Sequence, residues 1–124
     1  MNAVGKKGED VIVKWLIKKD YAIIERNWRV ITGEIDIIAI EKGNILFFIE
    51  VKTLVNTSLD SLDIIVGKHK QFKISETAKH FLKNNRKYHK LKMRFDVIVL
   101  MSNPFKTLNP DIWHIKNAFG DCSE

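Results

Sequence analysis

Cysteine is almost missing from this chain. Its 124 residues include one, Cys122, so no disulfide can close within it and no cysteine-only zinc site can be built. Proline is scarce, with Pro104 and Pro110 in one late segment, and six glycines punctuate the whole length. No repeat, low-complexity tract or linker divides the sequence, so a single domain over residues 1–124 is expected. No apolar run approaches the roughly 20 residues of a membrane helix. Met1–Lys7 has no stretch like the apolar part of a signal peptide. A reducing, cytoplasmic setting is therefore expected, where the Asn56-Thr57-Ser58 sequon carries no meaning.

What is abundant is apolar surface and positive charge. Hydrophobic residues make up 45% and charged residues 29%, a balance that folds rather than stays disordered. A chain of this length can bury roughly two-thirds of its unfolded surface. Acids are outnumbered, 15 against 21 Lys and Arg, for a net charge of +6. That excess favours an anionic partner, most often nucleic acid. It also suits a soluble protein that is simply basic.

Val4, Gly8, Val11, Ile12, Trp15 and Leu16 recur at helical spacing, with Lys6, Lys7, Lys14 and Lys18 off the stripe. Glu9 lies on its border, beside Leu16. This helix is expected to end near Lys19-Asp20. Tyr21–Val30 reads as extended, and Thr32-Gly33 as a break. Glu34–Ile40 and Ile45–Lys52 are strands rich in β-branched and aromatic residues, and Glu41-Lys42-Gly43-Asn44 between them is a turn. Thr53–Val66 is expected to be a loop. A second helix should run from Lys68 to Asn84, with Ile74, Ala78, Phe81 and Leu82 inward. Arg94–Met101 is the next strand and Asp111–Phe119 an edge strand. The order α-β-β-β-α-β-β predicts an α/β fold, a mixed central β-sheet of about five strands flanked by helices. Its core would span residues 4–101, with the edge strand at 111–119.

Strands alternate faces, so Glu34, Asp36, Ile38 and Ile40 share one face, and Leu46, Phe48, Glu50 and Lys52 share another. The strands are otherwise nearly continuous apolar runs, as in sheets covered on both sides. If Lys42-Gly43-Asn44 is a three-residue loop, Asp36 falls opposite Glu50 and Glu34 opposite Lys52. An even loop would send Asp36 and Glu50 to opposite faces. Two facing carboxylates repel unless a cation lies between them. Oxygen donors of this kind suit Mg²⁺ or Mn²⁺, which bind through one or two carboxylates, waters and a substrate phosphate. Lys52 can position a water or neutralise the phosphate, the Val51 peptide oxygen is an extra ligand candidate, and Glu9 can join as ligand or water-orienting group. The plain alternative is a set of solvated cross-strand ion pairs.

Four motifs follow one another here: Gly5-x-x-Gly8-Glu9, Gly33-Glu34-Ile35-Asp36-Ile37-Ile38-Ala39, Phe48-Ile49-Glu50-Val51-Lys52-Thr53, and Arg94-Phe95-Asp96-Val97. In this order they resemble the YraN-like family of small bacterial proteins. That family is similar to the PD-(D/E)XK nuclease superfamily, particularly its archaeal Holliday-junction resolvase branch. The resemblance runs from Gly5 to about Leu100. It implies a restriction-endonuclease-like αβββαβ core and metal-dependent hydrolysis of phosphodiesters, in branched or otherwise structured DNA. By resemblance Asp36 and Glu50 are the metal ligands, Lys52 the catalytic lysine and Glu9 the helix acid. Lys70-Gln71 falls where the superfamily often carries a polar helper, and helical spacing turns Gln71 towards the Ile74-Ala78 face; a helix-surface role suits it equally. Resolvase-like enzymes imply a homodimer, with the edge strand and the Thr53–Val66 loop as candidate interfaces. One departure stands out. The family often has an arginine shortly after the lysine motif, and here Leu54 follows Thr53. A non-catalytic nucleic-acid-binding module that keeps the fold is the alternative.

From Lys68 to Arg94 there are ten Lys or Arg residues and one acid, Glu76. Lys68, Lys70, Lys73, Lys83, Arg86 and Lys87 are candidate contacts to a phosphate backbone; a solvated helix face is the alternative. His69, His80 and His89 lack zinc-like spacing. Asp96, between apolar neighbours, is expected to hold Arg94 or a backbone group. Trp15, Trp28 and Trp113 are expected in the core, and Cys122 has no assigned role.

Overall fold

A computed structural model describes residues 2–42, 44–54 and 66–120. The sequon at Asn56, most of the Thr53–Val66 segment and Cys122 lie outside the described residues. The elements are α1 (Ala3–Lys18), β1 (Tyr21–Val30), β2 (Gly33–Glu41), β3 (Ile45–Thr53), α2 (Lys68–Asn84), a 3₁₀ turn (Arg86–Tyr88), β4 (Lys92–Leu100) and β5 (Ile112–Phe119). They form the expected mixed α/β fold. One sheet runs in the order β1-β2-β3-β4-β5. Only β3 and β4 are parallel, joined through α2; the other neighbours are antiparallel. Among the described residues no helix is long and apolar enough to cross a membrane.

Strand alternation feeds two cores, one on each side of the sheet. Leu46 and Phe48 of β3 pack with Ile74, Ala78 and Phe81 of α2, while Phe47 and Ile49 pack with Ile12, Val13 and Leu16 of α1. Each of these fully buried side chains contributes roughly 1.5–3 kcal/mol relative to exposure. The buried face of α1 is Gly8, Glu9, Ile12, Val13 and Leu16. It is rotated from the expected stripe, so Glu9 is inside and not on the border. Val13 wins over Val11 and Trp15 because α1 packs on β3 and β1 together. Asn2 caps this helix, its side-chain oxygen accepting from the Gly5 N–H at 2.8 Å. A Cβ on Gly8 would run into Thr53 Oγ1, so glycine lets α1 lie directly on the end of β3.

Two tryptophans are at least partly covered as expected: Trp28 meets Phe81 edge-on at 5.2 Å and Trp15 meets His114 at 5.7 Å. Trp113 departs from the expectation. It is 40% exposed, because β5 is an edge strand whose outer face is uncovered.

The β2–β3 hairpin has the odd loop that the chemistry demanded. Glu41 faces Ile45 and the pairing continues to Ile37 opposite Ile49. The positive φ falls on Lys42, at 53°. The ladder then stops. Beyond Ile37, β2 pairs only with β1, down to Val30 opposite Gly33, whereas β3 pairs with β4 over its full length. The two strands fork at Asp36 and Glu50.

A second irregularity sits at the same level. Arg26 faces Ile37 and Trp28 faces Ile35, skipping Asn27 and Asp36. Ile37 belongs to the core under α1, yet Ile35 and Trp28 belong to the core under α2. Residues two apart should share a face, so the alternation breaks here. Asn27, with φ at 51°, provides the kink.

Candidate active site

The fork decides what the acids can do. Asp36 is released from the ladder, and its Oδ2 accepts a hydrogen bond from the Val51 N–H at 2.8 Å. The carboxylate thus replaces a main-chain acceptor of the missing ladder rung. Glu50, 3% exposed, lines the same cleft as the half-buried Asp36. Burial, and then the Glu50 charge, push the Asp36 carboxyl up to about 8, against the lowering effect of the Val51 N–H. Two acids that share a cleft in this way disfavour each other's charge.

Two ammonium groups address Glu50 on the same oxygen, Oε2. Lys52 Nζ stands at 3.7 Å and Lys70 Nζ at 3.1 Å. Burial lowers the Lys70 pKa, but the Glu50 carboxylate outweighs it and holds the group above its ordinary value. Lys70 comes from the first turn of α2. The basic segment marked it as a phosphate contact; the structure puts it against the carboxylates. Spacing along β3 could not reveal this, since the pairing is made across the fold.

Glu9 also arrives, from α1. It is 1% exposed. Its Oε1 accepts from Arg26 at 2.9 Å and Asn27 at 3.0 Å, while its Oε2 is buried without a hydrogen-bond partner among the described residues. The Thr53 hydroxyl is in the same condition. A cleft of about 160 Å³ is lined by Gly5, Glu9, Asp36, Glu50, Val51, Lys52, Thr53 and Lys70. Larger cavities lie at the end of α2 and beside Trp15, but neither gathers carboxylates.

Other expected participants lie elsewhere. Glu34 is not opposite Lys52. It pairs with Arg29 at 3.2 Å and faces Arg29 in the β1–β2 ladder, because the fork carries this end of β2 away from β3. Gln71 is buried and its amide donates to the Val66 carbonyl at 2.9 Å, which pegs the entry to α2; it does not line the cleft. Lys68 and Lys73 are exposed on α2. Lys83 and Arg86 line a cavity at the far end of that helix, and Lys87 leans over the Tyr88 ring at 5.1 Å.

Asp96 takes the structural role expected of it, with more partners than Arg94 alone. It accepts from Arg94 Nε and Nη2 at 2.8 Å each and from the Asn117 N–H at 2.9 Å, and it meets His114 Nε2 at 2.7 Å. Burial alone would raise its carboxyl; His114, Arg94 and the Asn117 N–H reverse this and hold it at about 2.

A family model described as "Uncharacterised protein family UPF0102" matches residues 8–100, a span holding Glu9, Asp36, Glu50, Lys52 and Lys70. The chain belongs to this family. A UPF0102 protein of Treponema denticola is 59% identical over 128 residues, covering 98% of each chain. Another, from Treponema pallidum (strain Nichols), is 52% identical over 118 residues, 95% of this chain and 93% of the relative. One from Dictyoglomus thermophilum is 38% identical over 117 residues, 94% of this chain and 96% of the relative. The YraN-like, UPF0102 membership anticipated from the motifs therefore holds for nearly the whole of this chain.

The cleft has a donor set suited to a hard divalent ion. Asp36 and Glu50 line it together with Glu9 and Thr53, whose buried Oε2 and Oγ1 have no hydrogen-bond partner among the described residues. Among the described residues no three His, Cys, Asp or Glu side chains are grouped so as to hold an ion by themselves. Mg²⁺ characteristically takes one or two carboxylates and completes its shell with water and phosphate, so the two-carboxylate set fits.

Proposed function

We propose that this UPF0102 protein is a Mg²⁺- or Mn²⁺-dependent phosphodiester hydrolase acting on nucleic acid, with DNA the favoured substrate. The observation that carries this reading is the meeting of Asp36 and buried Glu50 in one cleft at the strand fork, with Lys52 and Lys70 on one Glu50 oxygen. The αβββαβ order and the motif resemblance to the PD-(D/E)XK superfamily support it.

Asp36 and Glu50 would hold the ion, with the Val51 peptide oxygen as a third donor. The ion, when bound, supplies Lewis acidity and positive charge to the phosphodiester. Asp36 would release its proton to solvent when an ion binds, and the charge of the ion would offset the repulsion between the two carboxylates that this deprotonation creates. Lys52, 33% exposed at its side chain, is the cation that can turn to an incoming water or phosphate oxygen. Lys70 neutralises Glu50 from behind and keeps that carboxylate oriented. Glu9, clamped through Oε1 by Arg26 and Asn27, presents Oε2 to the cleft and would orient a water rather than ligate. The exposed lysines of α2 would hold the nucleic-acid backbone.

Purified protein should cut plasmid or junction DNA with Mg²⁺ or Mn²⁺ and stop on chelation. Glu50→Gln should abolish cutting, and Lys52→Ala should slow it by roughly 10²–10³-fold. Metal-dependent cutting that survives Glu50→Gln would refute the site. A second reading, binding without catalysis, draws on Leu54. It packs against the α2-side core, so the position after Thr53 offers no cation to the substrate. Tight DNA binding by the wild type with no cutting under any divalent ion would select that reading.

A further inference from the structure

The cavity at the end of α2 is built from cations. Lys79 and Lys83 come from the last turns of the helix, and Arg86 and His89 from the 3₁₀ turn and the residue after it, which bring the chain back beside them; Leu82 forms the floor. Its volume is about 510 Å³, ample for a phosphate with its waters. No acid lines it among the described residues. Lys79 is tied to Glu76 at 3.2 Å, on the helix side of the cavity. Three or four donors converging from two short elements differ from a row of solvated lysines, because a single phosphate can meet several of them at once.

The position of this cavity relative to the carboxylate cleft is set by one rigid element. Lys70 reaches Glu50 from the first turn of α2, and Lys83 lies thirteen residues on, so the two ends are about 20 Å apart along the helix axis. Nucleic acid advances about 3.4 Å per base pair, so 20 Å corresponds to about six base pairs. Between the ends, Lys73 and Lys79 are exposed on the helix.

We propose that the Lys79–Lys83–Arg86–His89 cavity seats a backbone phosphate of double-stranded nucleic acid, about six base pairs from the phosphodiester held at Asp36 and Glu50. The inference rests on the hydrolase reading for the second half of that statement only. The cavity makes the protein a measurer of duplex length: a substrate must extend past the cleft along α2 to be held at both ends.

The test is equilibrium binding of a 20-base-pair duplex to the full chain in chelator, where no cutting occurs. Lys83→Ala/Arg86→Ala should weaken binding about tenfold or more and reduce the slope of log K against log salt by about two. Lys90→Ala/Lys92→Ala removes the same charge outside the cavity and should cost less than about threefold. Both pairs lie at exposed positions, and thermal melts confirm the fold. Equal losses in the two double variants would reduce the effect to net charge and overturn the site, as would binding unchanged by Lys83→Ala/Arg86→Ala. Because the measurement needs no metal, it can succeed where cleavage fails. If cleavage is found, Lys83→Ala/Arg86→Ala should raise KM for the long duplex with kcat unchanged. A fall in kcat with KM unchanged would overturn the distant-phosphate role while leaving the hydrolase reading intact.

Discussion

Asp36 and Asp96 sit in one sheet, one on β2 and one on β4, and both are pressed into apolar surroundings. Asp96 is given a guanidinium, an imidazole and a peptide N–H, and its carboxyl is held at about 2. Asp36 is given one peptide N–H and a second acid, and its carboxyl is pushed up to about 8. Asp96 is fully buried and Asp36 half-buried, so the greater burial belongs to the acid held low, and the supply of donors decides the difference. A buried acid with its partners in place acts as a rivet, here holding β5 through the N–H of Asn117, whose φ is 51°. A buried acid facing another acid stores unfavourable energy that a ligand can release. That contrast separates structure from function in a chain where both acids lie in strands of similar apolar sequence.

The largest effect should come from making the two acids neutral. Asp96→Asn leaves the Arg94 guanidinium without its counter-charge and takes an oxygen from the hydrogen bonds that Asp96 makes, and it should destabilise the fold by roughly 3–5 kcal/mol. Asp36→Asn replaces a group the fold already prefers protonated and should change stability by less than about 1 kcal/mol while abolishing any cleavage. Urea melts at neutral pH decide this, and equal losses for the two variants would erase the contrast.

A medium effect is expected from pH, with opposite signs. Between about 2 and 3.8 the unfolded chain binds the proton that folded Asp96 refuses. Its contribution, roughly 2 kcal/mol, is therefore complete above about pH 4 and gone below about pH 2. For Asp36 the folded state keeps its proton up to about 8 while the unfolded state loses it near 3.8. Without divalent ions, stability should then fall as pH rises through that window, and Asp36→Asn should remove that fall. Melts at about pH 5 and about pH 8, wild type against variant, read the difference; a wild type that gains stability relative to the variant would reverse the assignment.

The smallest effect belongs to the cations. Lys70 is half exposed, so Lys70→Met should cost less than about 1 kcal/mol in stability. Its consequence for cleavage should be larger, since Glu50 Oε2 would be left to Lys52 alone at 3.7 Å. A loss of stability without a loss of rate would make Lys70 a structural partner only.

How much of this was legible beforehand follows from distance along the chain. The span of α2, Lys68–Asn84, and the facing of Glu41 and Ile45 across an odd loop could be read from period and turn residues. The expected rung of Asp36 opposite Glu50 is not formed, since the ladder ends one pair earlier at Ile37 and Ile49, although both acids line one cleft. Glu34 could not be placed the same way, because the ladder ends at Ile37 and the extrapolated rung opposite Lys52 does not exist. Lys70 was visible as one charge among ten and, by resemblance, beside Gln71 at a helper position, but its pairing with Glu50 was not, and the rotation of α1 that buries Glu9 was hidden by the comparable apolarity of Val11, Val13 and Trp15. Arg26 and Asn27, which clamp Glu9, carried no motif at all; only the positive φ tolerated by asparagine hinted at a kink.

Local pattern by itself determined the order of elements, the two-sided burial of the strands and the register of the central hairpin, because side-chain periodicity and turn length act on neighbours in the chain. The tertiary structure alone decided where that hairpin splits, which helix residues turn into the split and which acid is left short of donors. Those outcomes depend on contacts between distant segments: β3 pairs with β4 along one edge for its whole length, while its other edge loses β2 beyond Ile49 and is met there by the Asp36 carboxylate, an arrangement that no short window of sequence contains.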